Sequence, residues 1–534
     1  MTSLTFIHYK KTQFQIITLL LLFILIFCGL TFKAIELLKY LNVKILFYIG
    51  VLSIYIYHEL YWKRKNLPPG PVPWLVAGNM PQLLLSINNI DKKFLEWKNK
   101  YGGQYTLWIG PIPMVFVSDV EKMKLYFVKN GEHFSNRWIN YITDTFMDGF
   151  NGVLQIHGDK WREQRRFSLH ILRDFGVGRA EIEKRVMFEV EKMIEVLDKD
   201  CGSIELDLHE YFAACVGNII ITILFGKRFD HNDPSFIELR DLLERQTQLV
   251  IQPIMGLYCI LPLSTKIPFI NSKWKELMMM KEKLFDFIDK ELEEHKKKFD
   301  PSEEPTDFTY AYLKEIHDRI STNSDIGYFS IKQLRSLLLD LFFAGMETTV
   351  TTLKWGFLYL LRHPEELEKV QRELSELPNI IKMSNRNNLP YLQAMTNEIQ
   401  RKANILTFNL LRTTSTDVYI DNYIFKKGTM VLPMISIVMN DSKYFENPEQ
   451  FDPSRFLDDK GNQKKLDGFL PFSIGKRQCL GESLAKAELY LVLANLLRNF
   501  NIKPDPKNSN PSIKRLLGIT CSPQKYKLLI TKRN

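Results

Sequence analysis

Phe472-Ser473-Ile474-Gly475-Lys476-Arg477-Gln478-Cys479-Leu480-Gly481 decides how the rest of this chain is read. Glycine permits backbone conformations that other residues resist. Gly475 and Gly481 therefore let backbone N–H groups come close to the Cys479 sulfur. A ligating thiolate needs such donors, because hydrogen bonds tune its basicity and redox potential. A helix-period pattern resumes at Glu482, so Cys479 stands just before a helix N-terminus, a position that lowers a thiol's pKa. Arg477 supplies positive charge for a nearby anion. A lone cysteine is ordinarily a small buried apolar residue. The company of Phe472, two glycines and Arg477 points instead to a thiolate that binds a metal.

Upstream, a long helix is expected to start at Ser330, which with Gln333 matches a capping box, and to run to about residue 361. It is apolar nearly all round, the mark of a helix buried in a large core. Asp340, Glu347 and Lys354 interrupt it, so it is not a membrane span. Pro364, Glu365 and Glu366 suit the first turn of the next helix. Within the long helix, Ala344 and Thr348 of Ala344-Gly345-Met346-Glu347-Thr348-Thr349 share a face at i and i+4. Small residues there leave room for a flat cofactor and a diatomic ligand. A mid-helix Thr can bond back to the carbonyl four residues earlier and open the helix slightly. Glu347 places an acid next to that hydroxyl, so the two together could deliver protons to dioxygen.

Two further groupings are weaker. Glu398 and Arg401 stand at i and i+3 on one helix face, and Arg455 in Phe451-Asp452-Pro453-Ser454-Arg455-Phe456 could join them in a buried, structural network. An exposed pair would contribute little. Trp161 and Arg165 share a face of Trp161-Arg162-Glu163-Gln164-Arg165-Arg166, where both could donate to one anion.

The chain has 534 residues, where roughly 150 per domain would suggest about three domains, although some enzymes fold as one larger unit. Its 45% hydrophobic and 12% aromatic content supports a large core and excludes a disordered chain. The net charge of +10 suits an anionic membrane surface or an acidic partner. Basic residues are scattered rather than gathered into a stripe, so no nucleic-acid role is expected. Cysteines at 28, 201, 215, 259, 479 and 521 form no C-x-x-C pair and no zinc spacing, which points to a reducing compartment rather than a disulfide framework.

Residues 16–32 are uncharged and apolar, near the lower limit for a spanning helix. A shorter apolar run covers residues 45–57, with Lys33, Glu36, Lys39 and Lys44 between the two. Phe32-Lys33-Ala34 is a poor cleavage site, which favours a retained anchor over a signal peptide. One span or a hairpin both remain open. Lys10, Lys11 and the Lys63-Arg64-Lys65 cluster would suit the hairpin, and the lysines between the runs oppose it. Leu67-Pro68-Pro69-Gly70-Pro71-Val72-Pro73 reads as a stiff connector setting the angle of the body to the membrane. Beyond it the pattern is long helical segments, notably residues 188–197 and 274–297, with short strand-like pieces and a polar loop at 301–307.

Taken together, these segments resemble the cytochrome P-450 family from the Pro68 connector to near the C-terminus. The order of proline hinge, Trp161 helix, Thr348 helix, Glu398 helix, Arg455 segment and Cys479 loop is shared. The resemblance implies a mainly α fold, a large helical body with a smaller β-rich part. A membrane anchor and basic linker over residues 1–66 would precede a catalytic domain over 67–534. It implies haem b (iron protoporphyrin IX), with Cys479 as the axial thiolate that favours O–O cleavage. Trp161, Arg165 and Arg477 would be propionate partners, Phe472 the aromatic residue near the thiolate, and Gly475, Gly481 and Ala344 positions that accommodate the cofactor. Thr348 and Glu347 would be the oxygen-activation and proton-delivery pair, and Glu398, Arg401 and Arg455 the bracing triad.

The activity so implied is a monooxygenase that inserts one oxygen atom from dioxygen into an apolar substrate: a steroid, fatty acid or xenobiotic. Residues 134–154 and 247–268, with Phe342, Phe343 and Ala344, would contribute to the pocket. Electrons would come from NADPH through the flavins of NADPH-cytochrome P-450 reductase, with cytochrome b5 as a second partner. The anchor and hinge resemble the microsomal class, in the endoplasmic reticulum membrane with the catalytic domain cytosolic. Lys160, Lys464, Lys465 and Lys476 would contribute to a basic docking face. Val216-Gly217-Asn218-Ile219, Phe225-Gly226-Lys227-Arg228-Phe229 and the Trp161 segment are similar to the animal branch that handles drugs, steroids and fatty acids, particularly nematode members. Three departures stand out. Asn404 occupies a frequent proline position, Ser454 replaces a frequent Glu, and Arg412 stands where that branch often has a propionate-binding His. A haem-thiolate isomerase or dehydratase is the first rival; the Glu347-Thr348 pair opposes it. A non-enzymatic haem sensor or scaffold is the second, and it predicts the loss of key residues that are all present.

Overall fold

In a computed structural model, residues 37–175, 180–202, 205–231 and 233–533 are described. The apolar run at 16–32, with Lys10, Lys11, Cys28, Lys33 and Glu36, lies outside the described residues. The second run is part of α1 (Leu37–Leu60). A 21-residue stretch, Lys44–Arg64, is long and apolar enough to cross a membrane, and none of it is buried. Helical continuity through Leu60 thus makes the second run a longer apolar element than its composition suggests.

The elements that position the site follow in chain order. Strands β1 (Gln104–Ile109) and β2 (Ile112–Val117) form a hairpin. Then come α2 (Gly158–Asp174), α3 (Ala180–Asp200), α4 (His209–Phe225), α5 (Pro234–Leu249) and α6 (Ser272–Lys298). The long α7 (Ile331–Arg362) is followed by α8 (Pro364–Ser375) and α9 (Pro390–Ala403). Short strands β3 (Arg412–Thr413) and β4 (Met430–Pro433) complete the first sheet, in the order β1-β2-β4-β3. Its β2 and β4 are parallel, with Met114 opposite Met430, and β3 runs antiparallel to β4. After α10 (Glu482–Asn499), strand β5 (Phe500–Pro504) pairs with β8 (Leu528–Lys532), and the two-residue β6 (Arg515–Leu516) and β7 (Ser522–Pro523) form a small hairpin.

Helix α7 is the axis of the core, packed by α4, α6, α9 and α10. From Thr349 onward it is enclosed: Val350, Leu353, Trp355, Phe357 and Leu360 are all buried. Its start matches the sequence reading in one half only. Ser330 accepts from the Gln333 N–H, but the Gln333 side chain reaches away to Gly152 instead of closing the box. Helix α9 ends at Asn404, whose φ of +41° explains the missing proline. Proline holds φ near −65° and cannot adopt that left-handed cap, whereas Asn tolerates it.

The proline segment is a packed strap rather than a free spacer. Thr106 on β1 donates its hydroxyl to the Pro68 carbonyl at 2.7 Å and its N–H to the Pro69 carbonyl at 3.0 Å. Gly70 lies so close that any Cβ would strike the Thr106 carbonyl oxygen. An exposed apolar surface adjoins this strap. Trp74, Val76 and Leu85 are exposed there, Phe269 is exposed on the 253–270 segment, and a Cβ on Gly110 would come within van der Waals reach of the Val76 carbonyl and the Ile260 side chain.

Candidate active site

The Cys479 loop is held by backbone geometry that the glycines make possible. Gly475 has φ +74°, and a Cβ there would collide with the Phe127 carbonyl, presented by a π-helical turn over Lys124–Lys129. The Cys479 N–H donates to the Phe472 carbonyl at 2.9 Å, and the Gln478 N–H to the Gly475 carbonyl at 2.9 Å. Gly481 is the N-cap of α10, and its N–H donates to the Cys479 sulfur. The residue as a whole is exposed, while its sulfur lies among the atoms of the loop. Its pKa contradicts the expectation drawn from the helix N-terminus. Burial among the loop pushes the thiol up, and the Gly481 N–H and Arg165 offset this only in part.

Behind the loop lies a group of four guanidiniums, three of them buried and that of Arg165 half-buried. Arg477 donates to the Ser135 carbonyl at 2.8 Å and the Ile156 carbonyl at 2.5 Å, and lies 3.8 Å over the Trp161 ring. Arg412 donates to the Ser473 hydroxyl and the Ile474 carbonyl, sits 4.3 Å over Phe127, and leaves its buried Nε without a partner. Arg165 donates to the Gln478 carbonyl at 2.6 Å and lies 5.8 Å from the Trp161 ring centre. The fourth member, Arg137, is not singled out by the sequence. It donates to the carbonyls of Leu154, Leu410 and Leu411. Only its charge inside an otherwise pocket-forming loop could have drawn attention to it. Among the described residues, none of Arg137, Arg412 and Arg477 has an ion-pair carboxylate. Burial, then the charges of Arg137, Arg412 and Arg165, push Arg477 down to about 7; burial and Arg165 push Arg137 down to about 10. A guanidinium keeps its proton in proteins, so this cluster is a standing demand for a buried anion.

Helix α7 is less enclosed along Phe343, Ala344, Glu347 and Thr348 than beyond Thr349. The Thr348 hydroxyl donates to the Ala344 carbonyl at 2.7 Å, as a mid-helix Thr can. Glu347 does not meet that hydroxyl. Its Oε1 accepts from Thr520 at 2.7 Å and Thr351 at 3.3 Å, and burial raises its pKa. Thr520 was invisible in sequence, because its partner lies 173 residues away. The loop at 134–154 is latched to α7. Asp340 accepts from the N–H groups of Val153 and Leu154, and Gln333 bonds both N–H and carbonyl of Gly152.

The structure brings Glu398, Arg401 and Arg455 together. Arg401 makes a two-pronged pair with Glu398, 2.7 Å on each side, with both side chains fully buried. Arg455 approaches Glu398 at 3.3 Å, and the Asp452 N–H donates to the same carboxylate. The proposed basic face is only partly assembled. Lys160 turns inward to the Phe150 carbonyl and Asn151; burial, and then nearby Lys332, take its pKa down to about 8. Lys476 pairs with Glu132, while Lys464 and Lys465 are exposed.

A model of the cytochrome P450 family matches residues 68–530. The chain belongs to the cytochrome P450 family. It is similar to cytochrome P450 2B4 of Oryctolagus cuniculus, 34% identical over 473 residues that cover 88% of this chain and 94% of that protein. Cytochrome P450 2A5 of Mus musculus is 34% identical over 493 residues, 91% and 98% of the two chains. Cytochrome P450 2C55 of Mus musculus is 36% identical over 444 residues, 82% and 89%. These relatives are mammalian, and the nematode likeness is not shown by them. As a member of the family the protein is a cytochrome P450 monooxygenase, a haem-thiolate enzyme of the mainly helical P450 fold. The residues present fit haem. The cofactor brings two propionates and an iron that accepts a thiolate. The P450 chain offers three buried guanidiniums with no carboxylate of their own, an unpartnered Arg412 Nε, and the free Cys479 thiol in front of them.

Proposed function

We propose that this P450 uses Cys479 as the axial ligand of haem, with Arg137, Arg412, Arg477, Arg165 and Trp161 holding the propionates. The uncompensated guanidinium cluster behind the Cys479 loop is the observation that carries this reading, because only a buried anion completes it. When bound, haem supplies the activation of dioxygen and insertion of one oxygen atom into the substrate. The chain's residues provide the setting. Gly475 and Gly481 let the loop close around the sulfur, and the Gly481 N–H tempers the thiolate's basicity. Phe472 holds the loop through its carbonyl, which accepts from the Cys479 N–H. Ala344 keeps the helix surface flat, Thr348 holds a hydroxyl in the groove of α7, and Glu347 holds a proton behind it. Glu398, Arg401 and Arg455 brace the segment leading to the Cys479 loop.

The substrate is an apolar molecule of the steroid, fatty-acid or xenobiotic kind. Support comes from the apolar Phe343 and Ala344 on the less enclosed stretch of α7, beside the latched 134–154 loop; Phe342 is turned into the core. Residues 67–534 form the catalytic domain, and the segment before it anchors the protein in the endoplasmic reticulum membrane. The membrane-competent Lys44–Arg64 stretch and the exposed Trp74, Val76, Leu85 and Phe269 support that reading. A cytosolic flavoprotein, NADPH-cytochrome P-450 reductase, supplies electrons, with cytochrome b5 as a second donor; Lys464 and Lys465 are free for such a partner. The test is the carbon monoxide difference spectrum of the reduced protein. The strongly red-shifted band of a thiolate-ligated haem is expected, and Cys479→Ser should abolish it. A serine variant that keeps the band would overturn the ligand assignment.

A further inference from the structure

Glu347, Thr351 and Lys354 lie along one stripe of α7, at i, i+4 and i+7. This stripe faces the turn between β6 and β7, and Thr520 of that turn donates its hydroxyl to Glu347. The turn is pinned from three directions. The Ile519 N–H donates to the Thr247 carbonyl on α5 at 3.1 Å, and the Cys521 N–H to the Ile405 carbonyl beyond α9 at 2.7 Å. The Trp355 indole N–H on α7 donates to the Cys521 carbonyl at 2.7 Å. Thr520 is itself only 3% exposed. A hydroxyl so fixed sets the geometry of the group it touches.

The remaining charged groups around this stripe come from every element packed on it. Lys354 is buried on α7, and Glu244 on α5 acts on both Lys354 and Glu347 through space. Glu244 lies 3.6 Å from the His209 ring of α4, which draws its pKa down to about 2, and Lys525 approaches from beyond β7. Glu244 is 30% exposed, so this group of charges extends to solvent on the α5 side. Thr348, one residue from Glu347, donates instead to Ala344 and is no part of it.

We propose that Thr520 is a positioning residue for the reaction: its hydroxyl fixes the Glu347 carboxyl in the place from which Glu347 hands on its proton. The inference rests on the role given to Glu347 above. Burial favours the neutral acid, and the Thr520 hydroxyl opposes it by donating to the carboxylate. Without that donor the carboxyl binds its proton more tightly and its side chain loses a fixed rotamer.

Thr520→Val removes only the hydroxyl, and Thr520→Ser restores it. Infrared difference titration of the haem-loaded full chain reads the Glu347 carboxyl without turnover, with Glu347→Gln used to assign its band. In Thr520→Val the protonated-carboxyl band should persist to higher pH, and in Thr520→Ser it should return to the parental position. Peroxide released per product formed should rise several-fold in the valine variant, with KM for the apolar substrate unchanged and the ratio rescued by serine. Should the valine variant fail to accumulate, Thr520→Ala reports the same band. A band unmoved by loss of the hydroxyl overturns the proposal. A moved band with a Glu347→Gln enzyme as well coupled as the parent would instead remove Glu347 from proton delivery, and the proposal with it.

Discussion

Arg477 shows what a single side chain contributes here. It is buried beside Arg137 and Arg412 without a carboxylate, stacked on Trp161 and bonded to two carbonyls. Charge-assisted bonds to a propionate would be its strongest interactions. Arg477→Met should fold, because it relieves like-charge crowding, but should hold haem less tightly. Transfer of haem to an acceptor globin is expected to accelerate by roughly tenfold, the equivalent of about 1.4 kcal/mol. Thr348→Ala, by contrast, should leave haem content unchanged and raise peroxide release relative to product. Glu488 is a third informative residue. It is buried on α10, accepts from Thr349 at 3.0 Å, and leaves Oε1 unpartnered; burial raises its pKa to about 8. The native state therefore keeps this proton where the unfolded chain releases it. The stability so contributed is present below the unfolded value near 4.5 and is lost as pH rises toward 8. Glu488→Gln cannot lose it, so the melting-temperature difference should move in favour of the variant between about pH 5 and 8 and then stay constant.

At the scale of elements, α9 and the 439–455 segment are joined through one buried carboxylate. Arg401 spans Glu398 and the carbonyls of Met439 and Gln450, so its removal leaves Glu398 charged, buried and short of partners. Breaking such a pair costs about 3–5 kcal/mol. Arg401→Ala should accordingly lower the unfolding free energy obtained from denaturant titration by that amount, or prevent accumulation of the haem-loaded protein. Substituting both Glu398 and Arg401 by apolar residues of matching volume should cost less than either single change. The pair was visible from its spacing in a helical segment; its full burial was not, since that comes from segments 38 and 49 residues downstream. Asn404 is the complementary case. Its departure from the family's proline is legible in the chain, but its φ of +41° explains why this helix end accepts no proline.

For the whole molecule, the arrangement of apolar surface is the main lesson. The strap, the residues after it and the 253–270 segment expose Trp74, Val76, Leu85 and Phe269. Deleting residues 1–64 should leave a protein that still pellets with anionic vesicles, more weakly than the full chain. Adding Trp74→Asp and Phe269→Asp to the truncated protein should release it to the supernatant. Retention of the double variant on vesicles would mean that another surface meets the lipid.

The features legible in the chain alone are local: the glycine-bordered Cys479 loop, the capped start of α7, the Ala344–Thr348 face, the prolines, and a membrane-competent run. Each depends on residues a few positions apart, whose geometry follows from backbone rules. Tertiary structure alone decided the rest. Arg137, Arg165, Arg412 and Arg477 meet from four segments spread along the chain from residue 137 to residue 477. Thr520 finds Glu347 across 173 residues, and Lys160 turns away from the face its charge suggests. The Cys479 pKa reversed its expected direction for the same reason. A helix terminus is a local property, whereas desolvation is set by everything the fold packs around the sulfur.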